Sequence, residues 1–326
     1  TLYKSTDSMS VLLYISVPVN IKEYLLLCKV SCSVSGILVL LMAYEYKYNP
    51  NRAADWNYGG KKWRLSRSKL DFFIECPRCF YVDNKLGTKR PGFPSFNLNI
   101  AVDELFKKEF DVHRANKTPH PIMEEYKIHA VPFDHKNMDT WRENFEGIEY
   151  HDDETGMTIS GAIDDIWINP EGKLIIVDYK STSKDGSITE LSDSPWDQQY
   201  KRQLGVYKWL LEQNGFKVED TGYLVYANAS KDEEAFDGKL IFENTVVPVE
   251  VETDWIDPTL TKIKECLEKD YIPEPGPKCE FCPYREACGK KLLAIHKRVG
   301  KQVAADNAAA TPASTIADLK TKFAGT

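Results

Sequence analysis

The sequence predicts an α/β protein. Three features carry that prediction: a pair of strand-like runs joined by a turn, a helix marked at both ends, and a second strand pair leading into another helix. Met157 to Ile168 and Lys173 to Lys180 are rich in β-branched residues, and Asn169-Pro170-Glu171-Gly172 between them supplies turn chemistry. In the helix that follows, Ser194 is placed to cap the start and Pro195 fits the first turn. Asn214-Gly215 fits the stop. Gly222 to Ala227 and Lys239 to Val247 read as strands. Asp257-Pro258 then opens a helix to about Lys269, with Leu260, Ile263 and Leu267 on one face.

Earlier in the chain the pattern is sparser. Ser66 to Ile74 reads as a helix, with Ser68 and Asp71 spaced like a capping box and Leu70, Phe73 and Ile74 on one side. Val102 to Phe110 reads as a second amphipathic helix. Residues 111–157 are mixed and acidic towards their end, with no periodicity to assign. The organisation expected is a distinct leader over 1–41, an irregular lead-in over 42–63, the main domain over 64–292, and a basic then low-complexity tail over 293–326. The stretch 301–326, rich in Ala, Thr and Lys, reads as loose. The leader is rich in Leu, Val, Ser and Cys. It is long enough for a membrane anchor or a signal peptide, or it is upstream translation with Met42 as the native start. The abrupt change to ordinary soluble composition at Met42 favours the last.

The chain has 326 residues, 42% hydrophobic and 28% charged, enough for a sizeable core, and a net charge of −7. An acidic average does not suit a nucleic-acid binder, so such a role needs a local basic face. Eight cysteines in a chain this rich in apolar residues are not needed as disulfide staples. Their short spacings suggest metal ligation in a reducing compartment, and hence a cytoplasmic protein with no membrane partner. The sequons at Asn116 and Asn228 are then chance matches.

The chemistry concentrates in the predicted hairpin. Ile175 to Val177 is an apolar run that ends abruptly in Asp178-Tyr179-Lys180. Alternation along a strand puts Asp178 and Lys180 on one face, and a turn near Pro170-Glu171 sets Asp164 almost opposite Asp178. Two carboxylates so close repel each other, and a hard divalent cation such as Mg²⁺ relieves that. Such an ion can activate water and neutralise charge on a phosphodiester, with the lysine stabilising the developing charge. The bland alternative is a surface hairpin with a salt bridge, because Asp-x-Lys triplets are common.

On the helix after the hairpin, Gln203 and Tyr207 are one turn apart and share a face, with Lys201 and Arg202 beside them. That set suits contacts to a nucleic-acid backbone. Arg64 and Arg67 belong to a basic cluster with Lys61, Lys62 and Lys69. Lys290, Lys291, Lys297, Arg298 and Lys301 form another. Cys279-x-x-Cys282-x5-Cys288 needs one distant cysteine to complete four ligands, and Cys76 and Cys79 offer it. An iron–sulfur cluster and a zinc site built from the two Cys-x-x-Cys pairs both remain open. Either would bring the two ends of the domain, and with them the two basic clusters, together.

The order Asp164, Asp178-Tyr-Lys180, Gln203-x3-Tyr207 resembles the PD-(D/E)XK nuclease superfamily. More narrowly it resembles the RecB-like branch, which includes the AddB nuclease domain and CRISPR-associated exonucleases. Ser66-x-Ser68-x-Leu70 followed by Cys76-Pro-Arg-x-Phe80 is similar to the start of those domains, and the resemblance covers roughly residues 64–290. It implies a restriction-endonuclease-like core, a central mixed β-sheet flanked by helices with the hairpin at its heart. It implies a Mg²⁺- or Mn²⁺-dependent deoxyribonuclease acting on DNA in repair, recombination or defence. Asp164, Asp178 and the Tyr179 carbonyl would hold the metal, Lys180 would assist, and Gln203 and Tyr207 would organise the site.

In iron–sulfur members an early cysteine joins a late Cys-x2-Cys-x5-Cys, which maps a 4Fe-4S cluster onto Cys76, Cys279, Cys282 and Cys288. Here Cys79 is an extra cysteine that keeps Zn²⁺ in play. The family's Gly-x3-His motif is replaced by Asn99 and Asp103, with Asp103 an acceptable metal ligand. No Walker phosphate loop is present, so a helicase or a recombination or defence complex would be a separate partner chain. The rival readings are a catalytically silent nucleic-acid-binding or scaffolding domain, and a structural zinc protein.

Overall fold

A computed structural model describes residues 49–92 and 95–310, with side chains placed as far as residue 304. The predicted leader, and the tail beyond residue 310, lie outside the described residues. Residues 49–64 are irregular apart from a single 3-10 turn at Ala54–Trp56. Then come β1 (Leu65–Ser66), α1 (Arg67–Glu75), α2 (Pro77–Asn84), α3 (Asn97–Asn116), α4 (Pro121–Glu125), β2 (Val131–Pro132), α5 (Met138–Arg142), β3 (Ile148–Asp152), β4 (Met157–Gly161), β5 (Asp165–Ile168) and β6 (Leu174–Thr182). The chain continues with α6 (Pro195–Gln213), β7 (Thr221–Ala229), β8 (Phe242–Glu250), α7 (Ile256–Glu268) and α8 (Phe281–Ala310).

The main sheet has five strands in the order β2-β5-β6-β7-β8, and a smaller one has the order β1-β4-β3. In the main sheet only β6 and β7 run parallel, joined through α6; the other pairings are antiparallel. This is the mixed sheet flanked by helices that the motif order implies. Strand alternation sorts its residues onto two cores. Ile176, Leu224, Tyr226 and Val247 pack with Leu204 and Tyr207 of α6 and Leu260 and Ile263 of α7. Ile175, Val177, Tyr179 and Val225 face the other way, onto Phe106 and Phe110 of α3. Burying both faces explains the continuous apolar run that leads into Asp178.

Several expectations change. The strand read over Met157 to Ile168 is two strands in different sheets. Ile159, Ile163 and Ile166 all enter the same core, and a three-residue step cannot be met by period-two alternation, so the chain must break between β4 and β5. The cap of α1 is Ser66, whose hydroxyl accepts from the Lys69 amide at 3.4 Å, and not Ser68. The helix α8 runs to Ala310, well into the stretch read as loose. The unassigned residues 111–157 hold α4, β2, α5 and β3, elements too short for a periodic signal. Among the described residues no helix is long and apolar enough to cross a membrane.

Candidate active site and cysteine centre

The register of β5 on β6 sets Asp165 against Val177, so Asp164, one residue before β5, stands across from Asp178. The amide of Tyr179 donates to Asp164 Oδ2 at 3.3 Å. Asp178 is fully buried, and its carboxylate is ion-paired with the Lys180 ammonium on the same strand face. Lys180 also lies over the Tyr200 ring, with Nζ 4.8 Å from the centroid. From α6, Gln203 donates its amide nitrogen to Asp178 Oδ1 at 2.7 Å and to the Tyr207 hydroxyl at 3.0 Å. The hairpin and the helix thus bring Asp164, Asp178, Lys180, Gln203 and Tyr207 to one place, as the sequence predicts.

The electrostatics follow from crowding. Burial pushes Asp178 up to about 7; the neighbouring Asp164 adds to the shift and Lys180 opposes it. Asp103, on α3, is raised by burial and then by Asp164. Its Oδ2 accepts from Lys107 at 2.8 Å, and Lys107 Nζ lies 3.7 Å from Asp164 Oδ1. Burial alone would lower Lys107, but Asp164 and Asp103 outweigh it and hold it raised. Asp103 Oδ1 is buried with no hydrogen-bond partner. Asp164 thus stands between two other carboxylates, Asp178 across the hairpin and Asp103 on α3, to which Lys107 bridges it, and the orphaned Asp103 oxygen adds a further hard donor. That fits Mg²⁺ or Mn²⁺.

A cavity of about 160 Å³ opens onto the set, lined by Ser66, Arg67, Asp164, Gln203 and Tyr207 among others. Burial alone would lower the Arg67 guanidinium, but the attraction of Tyr207, Asp71 and Asp178 outweighs it and holds it raised, and its Nη1 lies 3.4 Å from Asp71 Oδ2. Gly161 forms part of the wall. A Cβ there would lie 2.9 Å from Cε1 of Tyr207 and 3.1 Å from Leu210, so glycine lets α6 approach β4. Arg202 is spent on Asp71, its Nε 2.6 Å from Oδ1. With Lys201 it lines a different groove, beside Glu250 and Trp255, and neither lines the Asp164 cavity. Arg64 is paired with Glu149 at the surface.

Sequence reasoning missed the residues behind the site. Asp165 is fully buried and paired with Arg114 and Arg142. Arg142 Nε also donates to the Asp164 carbonyl at 3.0 Å. Arg142 lies in the stretch without periodicity, so nothing local marks it. Lys107 is visible in the sequence as an i+4 partner of Asp103, but only the structure shows it to be part of the site.

The cysteines gather at the junction of α1 and α2, at the far end of α1 from Ser66 and Arg67. Cys76, Cys79, Cys279 and Cys282 are all buried, with their sulfurs within 4.8 Å of one another. Cys288 is not among them. It is half-exposed on α8, next to Tyr284. The sulfurs brought together are thus those of the two Cys-x-x-Cys pairs, and Cys79, not Cys288, stands beside the other three, because the turn at Cys76-Pro77-Arg78-Cys79 carries both of its sulfurs inwards.

Residues 97–289 match the PD-(D/E)XK nuclease superfamily, and the chain belongs to that superfamily. Its matched segment runs from the start of α3 to the first turns of α8, and so spans both the carboxylate cluster and the second cysteine pair. The crystal structure of SSO0001 is also similar at 14% identity, covering 64% of this chain and 79% of that one with a TM-score of 0.28, too distant a likeness to argue from. Comparison with curated proteins gives no match.

Proposed function

We propose that the protein is a Mg²⁺- or Mn²⁺-dependent deoxyribonuclease of RecB-like type. One observation carries the reading: Asp178, paired with Lys180 and held by Gln203, stands across the hairpin from Asp164, which lines a cavity with Gln203 and Tyr207, inside a chain of this superfamily. Asp164, Asp178 and Asp103 are the side chains fitted to hold the ion, with the Tyr179 carbonyl between Asp178 and Lys180 a further donor. When bound, a divalent ion lowers the pKa of water and offsets charge on the phosphate. The role we assign to Lys180 is to meet, with its ammonium, the negative charge that builds on the scissile group. Gln203 fixes one Asp178 oxygen and leaves the other to Lys180, so the carboxylate plane is set before substrate arrives. Tyr207, raised by burial, stays a neutral hydroxyl and serves as a hydrogen-bonding group.

Support for a nucleic-acid substrate comes from the surface beside the cavity. A groove of about 610 Å³ is lined by Arg52, Lys61, Lys62, Arg64 and Lys69, with Trp56 and Phe145 at its walls. It shares Ser66, Ser68, Asn144 and Ser160 with the active-site cavity, so it leads there. Phe145 is 87% exposed. Cations interleaved with exposed rings suit phosphates and unstacked bases. The second basic cluster, on α8, contributes no residue to this groove. A cytoplasmic role in repair, recombination or defence, alongside a separate helicase, is the setting we propose for such an enzyme.

The test is cleavage of labelled single- and double-stranded DNA by the protein, purified without oxygen, with Mg²⁺ or Mn²⁺. Asp178→Ala and Lys180→Ala serve as controls. Metal-dependent cleavage lost in both variants supports the reading. A folded protein that binds DNA and cuts neither form under either metal would instead fit a silent binding domain.

A further inference from the structure

The four buried cysteines lie in two like turns, Cys76-Pro77-Arg78-Cys79 at the start of α2 and Cys279-Glu280-Phe281-Cys282 at the start of α8. Sulfur separations are 3.8 Å for Cys76 to Cys282, 3.7 Å for Cys79 to Cys279 and 3.4 Å for Cys79 to Cys282. They are free thiols, well beyond the roughly 2.05 Å of a disulfide. A tetrahedral Zn²⁺ with bonds of about 2.3 Å sets its sulfurs roughly 3.8 Å apart along each edge. A four-iron cube pushes its iron atoms between the sulfurs and would hold the thiolates roughly 6 Å apart. The spacing of the quartet is that of a single ion.

The surroundings point the same way. Cys76 Sγ accepts from the Gly276 amide at 3.2 Å and from the Cys79 amide at 3.4 Å, the bonds an anionic, metal-held sulfur requires. The approach of that loop depends on glycine: a Cβ on Gly276 would lie 2.0 Å from the Glu75 carbonyl oxygen. Phe72 and Phe281 pack against the quartet, and the Arg90 guanidinium stacks on both rings, 4.3 and 4.5 Å from their centroids. That brings a cation, itself paired with Glu75 at 2.7 Å, to the rim of a centre that carries two net negative charges when four thiolates hold one Zn²⁺. The centre has no open position for a substrate, which is the form of a structural site.

We infer that Cys76, Cys79, Cys279 and Cys282 hold one structural Zn²⁺, in place of the 4Fe-4S cluster that the family resemblance implies, and that Cys288 takes no part. The ion fastens the start of α2 to the start of α8 across some two hundred residues of sequence. This inference is independent of the nuclease reading, since it concerns the end of α1 remote from Ser66 and Arg67.

The test is the metal content and visible spectrum of the protein, purified without oxygen from cells supplied with both iron and zinc, beside Cys79→Ser and Cys288→Ser. The expected result is about one zinc per chain in the wild type and in Cys288→Ser, with neither iron nor acid-labile sulfide. Cys79→Ser should lose zinc. About four irons with labile sulfide and a brown colour, lost in Cys288→Ser, would overturn the inference. Should Cys79→Ser fail to fold, Co²⁺ exchanged into the wild type and Cys288→Ser decides the matter. Identical four-thiolate spectra support the assignment, and a spectrum altered in Cys288→Ser refutes it.

Discussion

The Tyr179 hydroxyl donates to Asp165 Oδ2 at 2.5 Å, on the face of β6 opposite the one that carries Asp178 and Lys180. The two adjacent aspartates thus do different work. Asp164 faces the cavity, while Asp165 is sealed beneath it with Arg114, Arg142 and Tyr179. Burial and the Asp165 charge hold the Tyr179 phenol far above its ordinary value, so it remains a donor. Arg142 spans both levels, binding Asp165 below and the Asp164 carbonyl above. The position of the candidate metal ligand therefore depends on an ion cluster that no substrate reaches.

Asp165→Asn should destabilise the fold strongly, because it leaves two guanidiniums buried with too little negative charge. The expected loss is about 3–5 kcal/mol, read from urea unfolding. Tyr179→Phe removes one hydrogen bond to that carboxylate and should cost roughly 1–3 kcal/mol. Equal stability of Asp165→Asn and wild type would show that the cluster does not hold the site.

Asp178→Asn should separate activity from stability. The amide keeps the shape and the contact to Gln203 but loses the charge. Cleavage should fall about 10²-fold or more, as should that of Lys180→Gln. Above pH 7 the metal-free Asp178→Asn protein should melt no lower than wild type, since a buried anion has been replaced by a neutral group. A large drop in melting temperature with full activity would reverse both assignments.

The raised Asp178 pKa gives the metal-free protein a defined pH dependence. Between the ordinary value of 3.8 and about 7 the folded protein keeps a proton that the unfolded chain releases. This contribution to stability is complete below the ordinary value and is lost as pH rises through about 7. A divalent ion competes with that proton. Below pH 7 its affinity should fall by up to about tenfold per pH unit, and the rise in melting temperature on adding Mn²⁺ should be larger at pH 8 than at pH 6. Calorimetric scans with and without Mn²⁺ check this. A metal shift independent of pH would remove Asp178 from the ligand set.

The parts legible in sequence are those with strong local signals. The turn at Asn169 to Gly172, the Ser194 cap, and the Gln203–Tyr207 spacing on α6 all reappear in the structure. The pairing of Asp164 with Asp178 follows from strand arithmetic alone. The break between β4 and β5 is hidden because Ile163 and Ile166 are each good strand residues, and only the shared core reveals the change of phase. Arg114 and Arg142 are hidden because their partner, Asp165, is remote in sequence. The family resemblance favours Cys288 over Cys79, while the Cys-x-x-Cys spacing leaves both open. What brings Cys79 in is the turn at Pro77, which sets its sulfur beside Cys279 and Cys282.

The groove that leads to the cavity offers the sharpest test of substrate form. Lys61 and Lys62 line it, with Trp56 and Phe145 available to unstacked bases. Lys61→Glu with Lys62→Glu should weaken DNA binding at all sequences. The dependence of log affinity on log salt should flatten by about 0.7 for each single-strand phosphate that is no longer neutralised. Phe145→Ala removes an exposed ring from no packed core, so the fold should be unaffected. Its removal should cost about 1–3 kcal/mol in affinity for single-stranded DNA and little for a duplex, whose bases cannot stack on it. Turnover at saturating DNA should stay near wild type in both variants, because neither touches Asp164, Asp178 or Lys180. Fluorescence anisotropy with single- and double-stranded probes over a salt series reads the binding effects together. Equal weakening on both probes for Phe145→Ala would mean that the ring meets the backbone of a duplex, and the groove would then be a duplex track.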